Sequence, residues 1–130
     1  MKLTNLDHFV LTVANLDRSI AFYRDILNLP LIETNNGSVN FKIGTSLIKL
    51  RPLTNDSNSI VAKNLVPGAF DFCLQTNTPL TKVQNELKRK QISIELGPVI
   101  RHGVKGEMKS IYLRDPDQNV VEICSYAPVN

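Results

Sequence analysis

The sequence lacks several features that mark particular classes of protein. No apolar run approaches the roughly 20 residues that a transmembrane helix needs. No run of Lys and Arg is interleaved with aromatic residues, and the formal net charge is only +3, so nothing favours a nucleic acid as partner. The first residues lead directly into a strand pattern rather than into a signal peptide. We therefore expect a protein that binds neither membranes nor nucleic acids.

Cysteine is scarce as well, with Cys73 and Cys124 as the two examples in 130 residues. Two cysteines are too few for the disulfide framework of a small secreted domain, and we expect reduced thiols in a cytoplasmic protein. The chain is long enough for one domain with a substantial core, and its hydrophobic fraction of 42% is ordinary for a globular protein.

The first half of the chain shows a strand pattern, a helical pattern and three further strand patterns. The helical stripe runs from Leu16 to Leu27 behind a cap at Asn15 or Asp17. The strand patterns cover residues 6–13, 31–34, 39–43 and 47–51, with a hairpin turn at Asn35-Asn36-Gly37. A polar connector over residues 54–67 follows, which is a candidate internal boundary.

The second half repeats this order. Residues 70–76 form a strand pattern, and a helix with the stripe Leu80, Val83 and Leu87 begins after Thr78-Pro79. The remaining patterns predict a strand over residues 91–96, a long glycine-containing loop over 97–107, a strand over 108–113, a tight turn over 115–119 and a last strand beginning at residue 120.

These patterns predict an α+β protein of two β-α-β-β-β modules that form a half-open barrel with the helices outside. Module one covers 1–53 and module two 68–130, within one domain. In four of the strands one face is apolar and the other carries polar side chains, because alternate residues of a strand face opposite ways. His8 corresponds in register to Asp71, and Lys49 corresponds to Glu122. The polar face comprises His8, Thr12, Lys49, Arg51, Asp71, Cys73, Gln75, Glu122 and Cys124.

The whole chain resembles the vicinal-oxygen-chelate superfamily, which includes glyoxalases, bleomycin-resistance proteins and extradiol dioxygenases. The resemblance is carried by Leu6-Asp7-His8, by the stretch from Asn15 to Tyr23, and by Asp115-Pro116-Asp117 through Glu122. It is strongest to the glyoxalase-domain-containing-protein-5 type, through Gly97-Pro98-Val99 and the stretch from Ser110 to Asp117.

The resemblance implies a divalent metal, Mn²⁺, Fe²⁺, Ni²⁺ or Zn²⁺, held by His8, Asp71 and Glu122. Asp71 stands where a His is commoner in the family, and an aspartate is a competent oxygen ligand. Lys49 departs from the family pattern, because glyoxalase I has a Glu there and a cation does not ligate a metal. Glu122 is the candidate catalytic residue.

Several residues have a second interpretation. His8 is also compatible with a hydrogen-bonded strand histidine, and Glu122 with an ion pair to Lys49 or Arg51. Arg51 and Lys49 are candidate contacts for an anionic substrate. His102 is either a surface histidine or a substrate contact. The cysteines are compatible with small buried side chains, or with a thiol ligand or redox role.

Two functions follow as expectations. One is a metal-dependent lyase, transferase or dioxygenase that acts on a small oxygen-chelating substrate, as a homodimer. The other is a metal-free protein that binds a drug or metabolite, as bleomycin-resistance proteins do.

Overall fold

A computed structural model describes residues 1–33, 38–53 and 60–127. The chain divides into two compact units, unit 1 over Met1–Ala69 and unit 2 over Phe70–Asn130. The predicted hairpin turn at residues 35–37 and the 54–59 part of the predicted connector lie outside the described residues. No helix among the described residues is long and apolar enough to cross a membrane.

Unit 1 is one mixed sheet with one helix. Its elements are β1 (His8–Val13), α1 (Leu16–Ala21, continued by a π-helical turn over Phe22–Ile26), β2 (Leu31–Glu33), β3 (Val39–Ile43) and β4 (Ser46–Pro52). The sheet order is β1-β4-β3-β2. The first strand runs parallel to the last, and the other neighbours are antiparallel.

The helix of unit 1 begins and ends at residues that its sequence indicates. The Asn15 side-chain oxygen accepts a hydrogen bond from the Arg18 backbone N–H at 3.0 Å, which satisfies one of the free donors of the first turn. Asn28 follows the helix with a φ of 57°. The predicted helical stripe from Leu16 to Leu27 is confirmed as a helix that ends at Ile26, and its turns widen at Phe22. The wider turn accompanies the burial of two consecutive aromatic side chains, Phe22 and Tyr23.

The core of unit 1 lies on the helix side of the sheet. The Tyr23 and Phe41 ring centroids are 6.0 Å apart, so the helix packs over this face. Leu11, Val13 and Ile48 are fully buried. The opposite face carries Val10, Asn40 and Lys49, which are neighbours across three strands, and Thr12 beside Arg51.

Unit 2 repeats the topology of unit 1. Its elements are β5 (Asp71–Gln75), α2 (Leu80–Arg89), β6 (Leu96–Gly103), β7 (Gly106–Arg114) and β8 (Val120–Ser125). The order is β5-β8-β7-β6, again with the first strand parallel to the last. The buried side chains include Leu80 and Leu87 of the helix, and Ile111, Leu113, Val121 and Ile123 of the sheet. The predicted α+β class with two β-α-β-β-β modules is confirmed.

The segment from residue 91 to residue 107 differs from its prediction. Residues 91–95 are not a strand, and the predicted loop over 97–107 is mostly a hairpin of β6 and β7. Gly97 has a φ of 110°, and a Cβ there would collide with the Ser110 carbonyl oxygen. A Cβ on Gly103 would collide with the Tyr126 hydroxyl. These glycines allow close contacts within a sheet, whereas the sequence pattern suggested a loop.

The turn between β7 and β8 is held by a network of buried hydrogen bonds. The Asp115 side chain accepts hydrogen bonds from the backbone N–H of Asp117 and of Asn119, each at 2.9 Å. The Asn119 side-chain amide donates to Asp115 at 2.8 Å, and its oxygen accepts from the Phe70 N–H at 2.9 Å. Because Phe70 precedes β5, this turn fixes where β5 meets β8.

Candidate functional site

The pairing of the first and last strands gives both units the same pattern of positions. In unit 1, His8 lies opposite Leu47 and Val10 opposite Lys49. In unit 2, Asp71 lies opposite Val120 and Cys73 opposite Glu122. His8 and Asp71 therefore hold equivalent positions, and so do Lys49 and Glu122, as the sequence register predicted.

Glu122 is the centre of a polar cluster on the face of the unit 2 sheet opposite to Ile111 and Leu113. Its side chain is half-buried. The Ser110 hydroxyl, which is fully buried, donates a hydrogen bond to the Glu122 carboxylate at 2.6 Å. Tyr112 of β7 and Cys73 of β5 are the cross-strand neighbours of Glu122 on either side. One neutral donor thus holds the charged acceptor, and two neutral polar side chains flank it.

Arg101 extends this cluster by one residue. Its guanidinium Nε donates to the Tyr112 hydroxyl oxygen at 2.9 Å, and its guanidinium carbon lies 5.5 Å from the Tyr112 ring centroid. Burial raises the pKa of Tyr112, the Arg101 hydrogen bond opposes this rise, and the Glu122 charge adds to it. The tyrosine therefore stays protonated beside Glu122.

The two cysteines are neighbours on the same face. Cys73 is exposed on β5 and Cys124 is buried on β8, and both are free thiols. Partial burial of the sulfur raises the pKa of Cys73, and the neighbouring Cys124 thiol and Glu122 charge raise it further. A thiol held in this state is a poor nucleophile. The interpretation as a small buried side chain is confirmed for Cys124 and wrong for Cys73, which is exposed.

The side chain of Asp7 contacts the ring of His8. The His8 Nδ1 and the Asp7 Oδ1 are 2.7 Å apart, and the histidine side chain is 39% exposed. A carboxylate on one ring nitrogen fixes the tautomer in which the other nitrogen, Nε2, is free to bind a metal. The hydrogen-bonded histidine and the metal ligand are thus compatible interpretations of the same geometry.

Lys49 and Arg51 lie on the open face of the unit 1 sheet, both half-buried. They line a cavity of about 350 Å³ within this unit, together with residues of β1, β3 and the start of α1. No described carboxylate of unit 1 forms an ion pair with either cation. This placement is the one expected for contacts to an anionic ligand.

His102 lies on β6 rather than in a loop, and its side chain is exposed. It pairs with Glu107, whereas its neighbour Arg101 pairs with Met108. Arg101 therefore shares the face of Ser110, Tyr112 and Glu122, and His102 faces the other way. The geometry favours Arg101 over His102 as a contact for a substrate near Glu122.

Sequence reasoning missed Ser110, Tyr112 and Arg101. Ser110 and Tyr112 are two residues apart on β7, so the sequence already placed them on one face. What the sequence did not give was the pairing of β7 with β8, which brings them beside Glu122. Arg101 was not identified as a candidate, because the segment that contains it was interpreted as a loop. Asn40 of β3 was also missed, because the cross-strand pair that it forms with Lys49 is not visible in the order of residues.

The chemical types of the predicted ligands fit a divalent metal. Imidazole nitrogen and carboxylate oxygen are the donors that Mn²⁺, Fe²⁺, Ni²⁺ and Zn²⁺ accept, and the aspartate beside His8 supplies the usual supporting hydrogen bond. Within neither unit do three or more His, Cys, Asp or Glu side chains of the described residues form a group that could hold a metal. The predicted set takes His8 from unit 1 and two carboxylates from unit 2, and it stays a prediction.

Comparison with known proteins identifies the family. The model of the Glyoxalase/Bleomycin resistance protein/Dioxygenase superfamily matches residues 5–123. The chain belongs to this superfamily, which agrees with the resemblance that the motifs indicate.

Three relatives illustrate the range. Virulence protein STM3117 of Salmonella typhimurium is 36% identical over 126 residues, covering 97% of this chain and 87% of that protein, and its crystal structure aligns with a TM-score of 0.91. An integron cassette protein of V. cholerae has a TM-score of 0.92 at 34% identity, covering 98% of both chains. Metallothiol transferase FosB of Staphylococcus epidermidis is 28% identical over 95% of this chain and 82% of that enzyme.

Proposed function

We propose that the protein is a divalent-metal-dependent enzyme, a lyase, transferase or dioxygenase, that acts on a small oxygen-chelating substrate. The observation that carries this proposal is the charge of Glu122. The carboxylate is half-buried and accepts a hydrogen bond from the buried Ser110 hydroxyl, and no Lys, Arg or His among the described residues of unit 2 forms an ion pair with it. A half-buried carboxylate whose charge is not balanced within its own unit is a good ligand for a cation.

In this proposal His8, Asp71 and Glu122 are the metal ligands. The bound ion would act as a Lewis acid toward the substrate oxygens. The chain's own contribution is orientation, because Asp7 fixes the His8 ring and the Ser110 hydroxyl fixes the carboxylate. Glu122 is also the proposed catalytic residue. Lys49 and Arg51 are the proposed substrate contacts, and Arg101 takes the place of His102 as the third, because it shares the face of Glu122.

Three further details belong to the proposal. Within the superfamily we place the chain with the glyoxalase-domain-containing-protein-5 type, on the motifs around Gly97 and from Ser110 to Asp117. We propose a homodimer, as is common in this superfamily. The free thiols Cys73 and Cys124 support a reducing, cytoplasmic setting.

Metal binding is tested by thermal melts with and without Mn²⁺, Ni²⁺ or Zn²⁺. For the wild type we expect a concentration-dependent rise in melting temperature, since a ligand at 100 times its dissociation constant stabilises the folded state by about 2.7 kcal/mol. Glu122→Gln should lose most of this rise. Glu107→Gln removes an equal charge at an exposed position of unit 2 and should keep it.

The competing function is a metal-free binding protein, and the two cations in the unit 1 cavity favour it. Under this alternative the melt would be unchanged by every metal, and Glu122→Gln would only be less stable than the wild type. That pair of results would overturn the enzyme proposal.

A further inference from the structure

The cavity of unit 1 has the composition of a small-molecule site. Its volume of about 350 Å³ lies in the range of ligand pockets, which starts at about 300 Å³. The walls combine apolar side chains with two cations and two neutral polar groups. The lining includes Val10 and Leu16 on the apolar side, and Ser38, Asn40, Lys49 and Arg51 on the polar side.

Asn40 is the unusual residue of this wall. Its side chain is only 3% exposed, and its Oδ1 is buried without a hydrogen-bond partner among the residues that the structure describes. A buried acceptor without a donor costs stability, and such groups are rare in folded proteins. Asn40 lies opposite Lys49 on the neighbouring strand, so its side chain stands on the cavity face. A ligand that offers an O–H or N–H would complete it.

The two cations define the other half of the ligand. Lys49 and Arg51 are two residues apart on β4 and therefore point to the same face. Like charges at this spacing repel, and no described carboxylate of unit 1 pairs with either of them. A carboxylate in the cavity would accept hydrogen bonds from both side chains and relieve the repulsion.

We infer that this cavity binds a small carboxylic acid that carries a hydroxyl group next to the carboxylate and an apolar body. The carboxylate contacts Lys49 and Arg51, the hydroxyl donates to the Asn40 Oδ1, and the apolar body packs against Val10 and Leu16. That this ligand is the substrate rests on the proposed function. Its binding does not, because all of these residues belong to unit 1.

The inference is tested by NMR titration of the ¹⁵N-labelled protein in a buffer that contains a metal chelator. Three probes separate the two halves of the ligand: mandelate has the acid and the hydroxyl, phenylacetate lacks the hydroxyl, and mandelamide lacks the charge. We expect mandelate to shift the amide signals of β1, β3 and β4. The dissociation constant should be about tenfold higher for phenylacetate, and higher again for mandelamide.

Variants assign the contacts. Lys49→Met and Arg51→Met should each weaken mandelate binding about tenfold. Asn40→Leu should bring mandelate down to the affinity of phenylacetate, while leaving phenylacetate unchanged. Lys42→Met is the matched control, because Lys42 is an exposed lysine of β3 outside the cavity lining. The Lys42→Met variant should bind mandelate with the affinity of the wild type.

The site is refuted if mandelate produces no shifts on β1, β3 and β4, or if Lys42→Met weakens binding as much as Lys49→Met does. Equal affinities of mandelate and phenylacetate would refute the role of Asn40. Because the titration contains a chelator, its outcome is independent of metal binding. If no metal changes the melting temperature but mandelate binds, the enzyme proposal is rejected and this site is kept. If metals raise the melting temperature but mandelate does not bind, the enzyme proposal is kept and this site is rejected.

Discussion

Ser110 is the residue that fixes the Glu122 carboxylate most directly. Its hydroxyl is fully buried and donates at 2.6 Å. We expect Ser110→Ala to lower the free energy of unfolding by about 1.5 kcal/mol, at the lower end for hydrogen bonds to charged groups, since Glu122 keeps some contact with water. Urea denaturation measures this change.

A double-mutant cycle separates this hydrogen bond from packing effects. In a Glu122→Gln background the acceptor is neutral, so Ser110→Ala should cost clearly less than in the wild type. Equal costs in both backgrounds would show that Ser110 acts through packing alone, without orienting the carboxylate.

Gly97 marks a close contact between β6 and β7. Its φ is 110°, and a Cβ would meet the Ser110 carbonyl oxygen and lie 3.0 Å from the Ile111 Cα. Gly97→Ala should therefore destabilise the protein by more than about 2 kcal/mol, through backbone strain and collision together.

Gly106 offers a matched control for this substitution. Its φ of 105° is nearly the same, but nothing lies within 4 Å of a Cβ built there. Gly106→Ala therefore measures the strain of the backbone alone, and the difference between the two variants isolates the collision. If both variants lose the same stability in urea, the collision contributes nothing.

At the scale of elements, the turn from Asp115 to Asn119 joins three strands of unit 2. Asn119 is fully buried and links the turn to Phe70, the residue before β5. We expect Asn119→Ala to cost about 2–4 kcal/mol, because it removes the two buried hydrogen bonds that the Asn119 side chain makes, one to the Phe70 N–H and one to the Asp115 carboxylate. Chemical denaturation gives the value.

The neighbouring Gln118 is the reference for this turn. Its φ is 71°, so Gln118→Gly relieves a left-handed conformation while it adds freedom to the unfolded chain, and the two effects should nearly cancel. A Gln118→Gly variant that loses as much stability as Asn119→Ala would mean that the turn tolerates no change at all, and the specific role of Asn119 would be lost.

The elements were predictable where one face of each was buried. The period of two in β8 placed Glu122 and Cys124 on one face, and the structure pairs both with polar residues of β7. The segment from 91 to 107 was not predictable from the local pattern. Gly97 and Gly103 allow close contacts with Ser110 and Tyr126, and these partners are distant in sequence. The widening of the helix at Phe22 likewise accompanies a contact that is distant in sequence, between the Tyr23 ring and Phe41 of the sheet.

The candidate site was predictable in part for the same reason. The equivalence of Lys49 and Glu122 follows from the repeat and is visible in the sequence. The hydrogen bond from Ser110 to Glu122 depends on the pairing of β7 with β8, and the orphaned oxygen of Asn40 depends on packing in unit 1. Tertiary contacts of this kind leave no periodic signal.

At the scale of the whole molecule, the proposed homodimer gives a direct prediction. Light scattering at micromolar concentration should give twice the chain mass of 14.6 kDa, and the value should hold over a tenfold dilution if the interface is of ordinary size and affinity. A mass of one chain across the whole concentration range would reject the dimer.

The equivalence of Lys49 and Glu122 also has a genetic consequence. The codons of lysine and glutamate differ only in their first base, so one transition mutation exchanges the two residues. One nucleotide thus separates the present chain, with opposite charges at the two equivalent positions, from a chain with an acid at both. A library made by error-prone amplification contains Lys49→Glu in its first round, which makes the choice between anion binding and cation binding in unit 1 accessible to selection in a single step.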